Sequence, residues 1–148
     1  MITKKFNRKH FVVITLLTSI WINISEVFRY FVFVKPRIKS FFDYKQGVAD
    51  MDLGIFAIWG FWDTLLTGFL VFVFWLYSRV FRSSNWSVFI SGTIVWSAVF
   101  VIFWVATANM GLSEWKILWI TLPLSWLEMT IGAWIASKLY KKYENDEM

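Results

Sequence analysis

Long, almost uninterrupted apolar stretches dominate the chain, and polar residues collect between them. Four such stretches cover roughly residues 11–34, 53–77, 86–109 and 115–137, each close to the roughly 20 residues that an α-helix needs to cross a bilayer core. Strands of a membrane barrel alternate apolar and polar residues over about 10 positions, and these stretches do not. The pattern predicts an all-α integral membrane bundle of four transmembrane helices, forming a single membrane domain over residues 1–148.

The connections between the stretches carry residues that start and stop helices. Polar residues suited to N-caps precede the second, third and fourth stretches: Asp50 and Asp52, Ser84 and Asn85, and Ser113 with Glu114. Gly111 follows the third stretch, where helices often end. The second and third links are short, so the helices that they join should be antiparallel neighbours.

The first link, Lys35–Asp52, is the only long one in the sequence. Ile38, Phe41 and Phe42 follow Pro36 at a helical spacing, and proline is common in the first turn of a helix. This spacing predicts a short helix lying in the membrane interface. A plain hydrophilic connector is the alternative.

Basic residues indicate an orientation with both termini inside, because loops on the cytoplasmic side carry more Lys and Arg. The inner set would be Lys4, Lys5, Arg8, Lys9, Arg79, Arg82, Lys138, Lys141 and Lys142, and the smaller outer set Lys35, Arg37, Lys39, Lys45 and Lys116. We therefore expect a multi-pass protein of a bacterial-type inner (plasma) membrane. A cleaved signal peptide is the weaker alternative, since the first stretch is longer than a signal core and Asn23 and Ser25 make a poor cleavage site.

Composition excludes several other classes of protein. Hydrophobic residues make up 58% of the chain and aromatic residues 22%, which is incompatible with disorder. With no Cys and one His, disulfide scaffolds, zinc–thiolate sites and His-rich metal sites are also excluded, so we expect no cofactor and no metal. The net charge of +5 is better explained by attraction to an anionic membrane surface than by nucleic-acid binding.

Four ionisable residues interrupt the apolar stretches: Glu26, Arg29, Asp63 and Glu128. Charges inside a membrane are costly and mark a functional site by default. Counted at about 1.5 Å per residue from the outer ends of the predicted helices, the three carboxylates lie about 12, 15 and 20 Å deep. Their similar depth predicts that they converge in the bundle.

Each acid also lies on a polar face of its own helix. These faces consist of Ser19, Asn23, Glu26 and Tyr30 in the first stretch, Gly60, Asp63, Thr64 and Thr67 in the second, and Thr121, Ser125, Glu128 and Gly132 in the fourth. Such faces favour protein over lipid. We expect Arg29, Asn23, Tyr30, Thr64, Thr67 and Ser125 to form a polar network around the acids.

The balance of these charges carries the functional hypothesis. Glu26 and Arg29 are three residues apart and can pair, which leaves Asp63 and Glu128 without a cation. Two such carboxylates in a low dielectric would not both stay ionised; they would take up a proton or bind a cation. Trp62 and Trp126 adjoin acids in the sequence and could provide an aromatic lining for an organic cation.

Three classes of function follow. The leading one is a small proton- or cation-coupled transporter or channel-like subunit using Glu26, Asp63 and Glu128. The alternative is a non-catalytic accessory or scaffold protein, in which the acids bond to neighbouring helices. An intramembrane enzyme is disfavoured, because no nucleotide loop, Gly-x-Ser-x-Gly or His-Glu-x-x-His motif occurs. The expected partners are the lipid bilayer and a second copy or another membrane protein, with no nucleic acid.

Overall fold

The computed structural model describes residues 7–81 and 83–146, and within these ranges every regular element is helical. The first helix spans Arg8–Phe41, the second Leu53–Phe81, the third Asn85–Asn109, and the fourth Leu118–Asp146 after a 3₁₀ turn at Trp115–Ile117. Four helices are long and apolar enough to cross a membrane, as the hydrophobic pattern predicts. Lys4, Lys5 and Arg82, which contribute to the expected orientation, lie outside the described residues.

Several predicted helix ends are confirmed by their hydrogen bonds. The Ile55 amide donates to the Asp52 carboxylate at 2.8 Å, and Ser84 forms a capping box with Ser87. Gly111 has a φ of 69°, the left-handed conformation that glycine adopts without steric cost, just after the third helix. The N-terminus of the fourth helix differs: Glu114 makes no side-chain capping bond there, and the chain enters the helix through the 3₁₀ turn.

The first loop is more ordered than a plain connector. The helix behind Pro36 exists as Lys35–Phe41, but it continues the first helix without a break. Asp50, expected as a possible N-cap, instead accepts a hydrogen bond from Lys39 at 2.8 Å and one from the Gly47 amide at 3.1 Å. These bonds fold the loop back over the end of the bundle.

Two of the four helices contain a π-turn, a feature that the hydrophobic pattern did not predict. The first helix changes to π geometry at Tyr30–Val34, and the third does so at Ser97–Val101. A π-turn adds one residue to a turn of the helix and so changes the direction of the side chains around it. Such turns occur frequently at functional sites. Both lie in the half of the bundle nearer the first loop.

The bundle is packed tightly in the half that contains the termini. Its buried apolar residues there include Ile14, Leu70, Val71, Phe74, Met129, Ala133 and Ala136. A Cβ added at Gly92 would lie only 2.9 Å from the Cα of Thr130, so the third and fourth helices approach backbone to backbone. The glycine is therefore required for this contact.

The other half of the bundle is more open. The third helix packs on the second mainly through Asn85–Trp96, and its later part, Ile102–Asn109, leans on the fourth helix instead. Between this part and the start of the second helix lies a cavity of about 790 Å³. The candidate site occupies its floor.

Candidate functional site

Arg29 is the centre of a buried charged group. Its guanidinium pairs with Glu26 one turn earlier on the same helix, and its Nε lies 3.7 Å from Oε2 of Glu128 on the fourth helix. Arg29 is 4% exposed and Glu128 is 1% exposed. The expected Glu26–Arg29 pair is present, but the same arginine also reaches Glu128, so that acid is not without a cation.

The third helix supplies an aromatic face to the same arginine. The guanidinium carbon of Arg29 lies 4.9 Å from the ring centroid of Phe100, within the range of a cation–π interaction. Phe100 belongs to the π-turn Ser97–Val101, so the irregular turn places the ring over the charge. Arg29 therefore joins the first, third and fourth helices at one point.

Glu128 is held by the first helix as well. Ser25 donates a hydrogen bond to Oε2 of Glu128 at 2.9 Å, and the indole of Trp21 donates to its backbone carbonyl at 3.2 Å. The other carboxylate oxygen, Oε1, is buried and has no hydrogen-bond partner among the described residues. Glu128 is thus hydrogen-bonded through one carboxylate oxygen and unsatisfied at the other.

Asp63 differs from the other two acids. It is 6% exposed and lines the floor of the cavity, within electrostatic range of Glu26 and Arg29. No described side chain pairs with its carboxylate. Three acids from three helices therefore gather near one arginine. Glu26, Arg29 and Asp63 all line the cavity, and of its two acids Glu26 pairs with Arg29 whereas Asp63 has no described partner.

Most of the predicted polar network satisfies itself within single helices. Four side chains donate to a carbonyl three or four residues earlier: Asn23 to Ser19, Thr64 to Gly60, Thr67 to Asp63, and Ser125 to Leu122. Tyr30 donates instead to the Ala49 carbonyl of the first loop at 3.0 Å. Of the predicted network, Arg29 is the member that pairs with the carboxylates of the acids, namely those of Glu26 and Glu128.

The two tryptophans predicted as aromatic lining are placed apart. Trp62 lines the cavity and is 62% exposed at its mouth. Trp126 lies on the other side of the fourth helix, where its indole donates to Thr93 at 3.1 Å and its ring meets Phe89 edge-on. Trp126 lines a second cavity, away from the acids. The fourth helix turns Trp126 and Glu128 to different faces because they are two residues apart.

Sequence reasoning missed other residues of the site. Phe100, Trp59 and Trp104 line the cavity, and Ser25 and Trp21 bond to Glu128. Ser25 could have been predicted, since it is a polar residue next to Glu26 in an apolar stretch. The aromatic residues could not, because similar residues recur throughout the chain.

The cavity is closed at one end and open at one side. Tyr30, Ala49 and Met51 form its cover at the loop end. Its side opening lies between the second and third helices, where Trp62 and Phe103 are both more than half exposed. Within the described residues, no group of three or more His, Asp or Glu side chains is arranged to hold a metal ion. The cavity thus combines mainly apolar walls with the charged side chains of Glu26, Arg29 and Asp63.

No protein-family model, no curated protein and no solved structure matches this chain.

Proposed function

We propose that this chain is a small proton- or cation-coupled transporter or channel-like subunit of a cell inner (plasma) membrane. The observation that carries the proposal is the surplus of buried acid: among the described residues, Glu26, Asp63 and Glu128 share one buried cation, Arg29. An uncompensated carboxylate in a low dielectric is costly. Uptake of protons or of a cation relieves that cost, and this coupling is the basis of carrier chemistry.

The positions of the acids supply a route for this coupling. Asp63 faces the cavity, and Glu128 lies behind Arg29, out of contact with the opening. Arg29 lies between them and is already drawn toward two carboxylates. Charge taken up at Asp63 would change the electrostatic balance at Arg29, and through it at Glu128.

The orientation belongs to this proposal. With the termini in the cytoplasm, the basic residues Arg8, Lys9, Arg79 and Lys138 lie inside, consistent with the positive-inside rule. The cavity and the first loop then face the outer leaflet. Ions or substrates would reach Asp63 from that side.

Proton flux into proteoliposomes tests the proposal. Purified protein is reconstituted around a pH-sensitive dye, and an imposed cation or pH gradient is followed in wild type, Asp63→Asn and Glu128→Gln. Both variants should insert normally and lose the flux. The matched control is Glu114→Gln, which removes an exposed acid outside the cavity and should keep it. Wild-type flux in Asp63→Asn or Glu128→Gln would contradict the proposal.

A scaffold protein is the second candidate, and the contacts of Arg29 and Glu128 favour it. Together they connect three helices through Ser25, Trp21 and Phe100. In a scaffold, Glu128→Gln would lower thermal stability and cellular abundance, and no flux would be measured in the wild type. A partner could be a second copy. The glycines Gly68 and Gly132 are already near the chain's own helices, so a dimer would use other faces.

A further inference from the structure

The cavity beside Asp63 is large enough for a small ligand, and its walls are mainly apolar. Its volume of about 790 Å³ lies within the range of about 300–1,000 Å³ typical of small-molecule sites. Its walls are mainly aliphatic and aromatic, formed by residues such as Ile55, Trp59, Leu66, Val99, Phe103 and Trp104. An apolar body therefore fits against most of the wall of this chamber.

The opening of the cavity faces sideways. The start of the second helix and the end of the third diverge, and the exposed rings of Trp62 and Phe103 form the edges of the gap. The first loop covers the end of the cavity, held there by the hydrogen bond from Tyr30 to Ala49. In a bilayer, a ligand would therefore arrive laterally from the leaflet.

The floor of the cavity selects the charge of the ligand. The carboxylate of Asp63 is more than nine-tenths buried, lines the cavity and lacks a described partner. A buried carboxylate requires hydrogen-bond donors, and a charged donor is the strongest kind. Glu26 and Arg29 also line the cavity, but they pair with each other, so an anionic head would have to compete with Glu26 and Glu128 for Arg29.

We propose that the cavity binds a single-chain lipophilic amine, with its ammonium group on Asp63 and its alkyl chain along the gap between the second and third helices. This inference rests on the proposed function and names the class of substrate for the same site. It assigns the cation subsite to Asp63 of the second helix. Glu26 is excluded from that role because Arg29 pairs with it.

Binding of dodecylamine, measured with purified protein in lipid nanodiscs, tests the assignment. Dodecanol and dodecanoate are the matched probes, since they share the chain and differ in the head. Dodecylamine should bind at least about tenfold more tightly than dodecanol, the difference expected from one charge-assisted hydrogen bond. Dodecanoate should bind more weakly still. Equal affinity for the amine and the alcohol would overturn the proposal.

Two variant comparisons locate the ligand. Asp63→Asn should weaken dodecylamine binding by about tenfold and leave dodecanol binding unchanged, whereas Glu114→Gln should change neither. Val99→Trp fills the cavity and should block all three probes. Its control, Val105→Trp, adds the same ring at an exposed position that does not line the cavity, and binding should persist. Undiminished amine binding to Asp63→Asn or to Val99→Trp would overturn the proposal.

The binding and flux experiments together distinguish a failure of this substrate assignment from a failure of the proposed function. Flux of protons that depends on Asp63 and Glu128, together with no selective binding of dodecylamine, overturns the substrate assignment and leaves the transporter intact. Selective binding at Asp63 in a protein without flux supports the assigned site and counts against transport.

Discussion

The two ends of this helix bundle are held together by different contacts. At the end with the termini, rings stack between the first and fourth helices, as in His10 on Tyr143 at 4.9 Å, and backbones approach closely at Gly92. At the loop end, the helices diverge around a cavity, and Arg29 with its acids makes the connection between them.

The same helices are therefore held by close packing at one end and by charged contacts at the other. The third helix illustrates this most directly. Its first part, Asn85–Trp96, is a regular α-helix that packs on two neighbours, and the π-turn at Ser97–Val101 begins where the packing on the second helix stops. The regular half provides a rigid base. The irregular half packs less closely on the second helix and borders the cavity that Arg29 and Asp63 line.

The largest expected effect comes from removing the central cation. Arg29→Met leaves Glu26 and Glu128 buried without a counter-ion and should lower the free energy of unfolding by about 3–5 kcal/mol. Unfolding in increasing sodium dodecyl sulfate measures it. Arg79→Met is the control: Arg79 is exposed and lies 5.5 Å from the centroid of the Trp75 ring, so its loss should cost at most about 1 kcal/mol.

A rescue variant sharpens this test. Adding Glu26→Gln and Glu128→Gln to Arg29→Met removes the uncompensated charges and should restore much of the lost stability, because a neutral replacement for a buried ion group is often tolerated. If Arg29→Met is no more damaging than Arg79→Met, charge does not hold the loop end together.

A smaller effect is expected at the packed end. Gly92→Ala places a methyl group 2.9 Å from the Thr130 Cα, so the third and fourth helices must separate. The free energy of unfolding should fall by about 1–3 kcal/mol. Gly68→Ala is the matched control: its Cβ would meet a Thr15 methyl at an ordinary 3.7 Å, so stability should hold or rise slightly. Equal stability of the two variants would show that the packed end tolerates expansion.

The smallest effect concerns the loop that covers the cavity. The hydrogen bond from Lys39, followed by that from the Gly47 amide, holds the pKa of Asp50 below its ordinary value. The ionised Asp50 carboxylate stabilises the folded loop. This stabilisation is fully present at pH values above the ordinary aspartate pKa of about 3.9, and it is lost as the pH falls through the lower pKa of the folded state. The NMR signal of the Gly47 amide should report this transition.

Two variants check the cause of that shift. Lys39→Met should move the midpoint of the Gly47 transition upward, toward ordinary aspartate, because the leading cause is gone. Asp50→Asn should abolish the transition. If the pH midpoint of the Gly47 transition is the same in Lys39→Met as in the wild type, the ion pair does not order the loop.

The hydrophobic pattern alone was sufficient for the number and position of the helices. The second helix begins at Leu53 and the third ends at Asn109, as the pattern indicates, whereas the first continues to Phe41 and the fourth to Asp146, beyond the apolar stretches. The caps at Asp52, Ser84 and Gly111 were also predictable, because each depends on neighbours within a few residues. Counting residues along each helix predicted that the acids converge, and Arg29 lies near all three.

Tertiary packing was needed for everything that depends on how the helices rotate and diverge. The link from Arg29 to Glu128, the ring of Phe100 over the guanidinium and the separation of Trp126 from the acids all join helices far apart in sequence. The π-turns have the same origin, since no local pattern distinguishes them from ordinary helix. A side chain's residue type determines what it can bind, but the angle between helices determines what it meets.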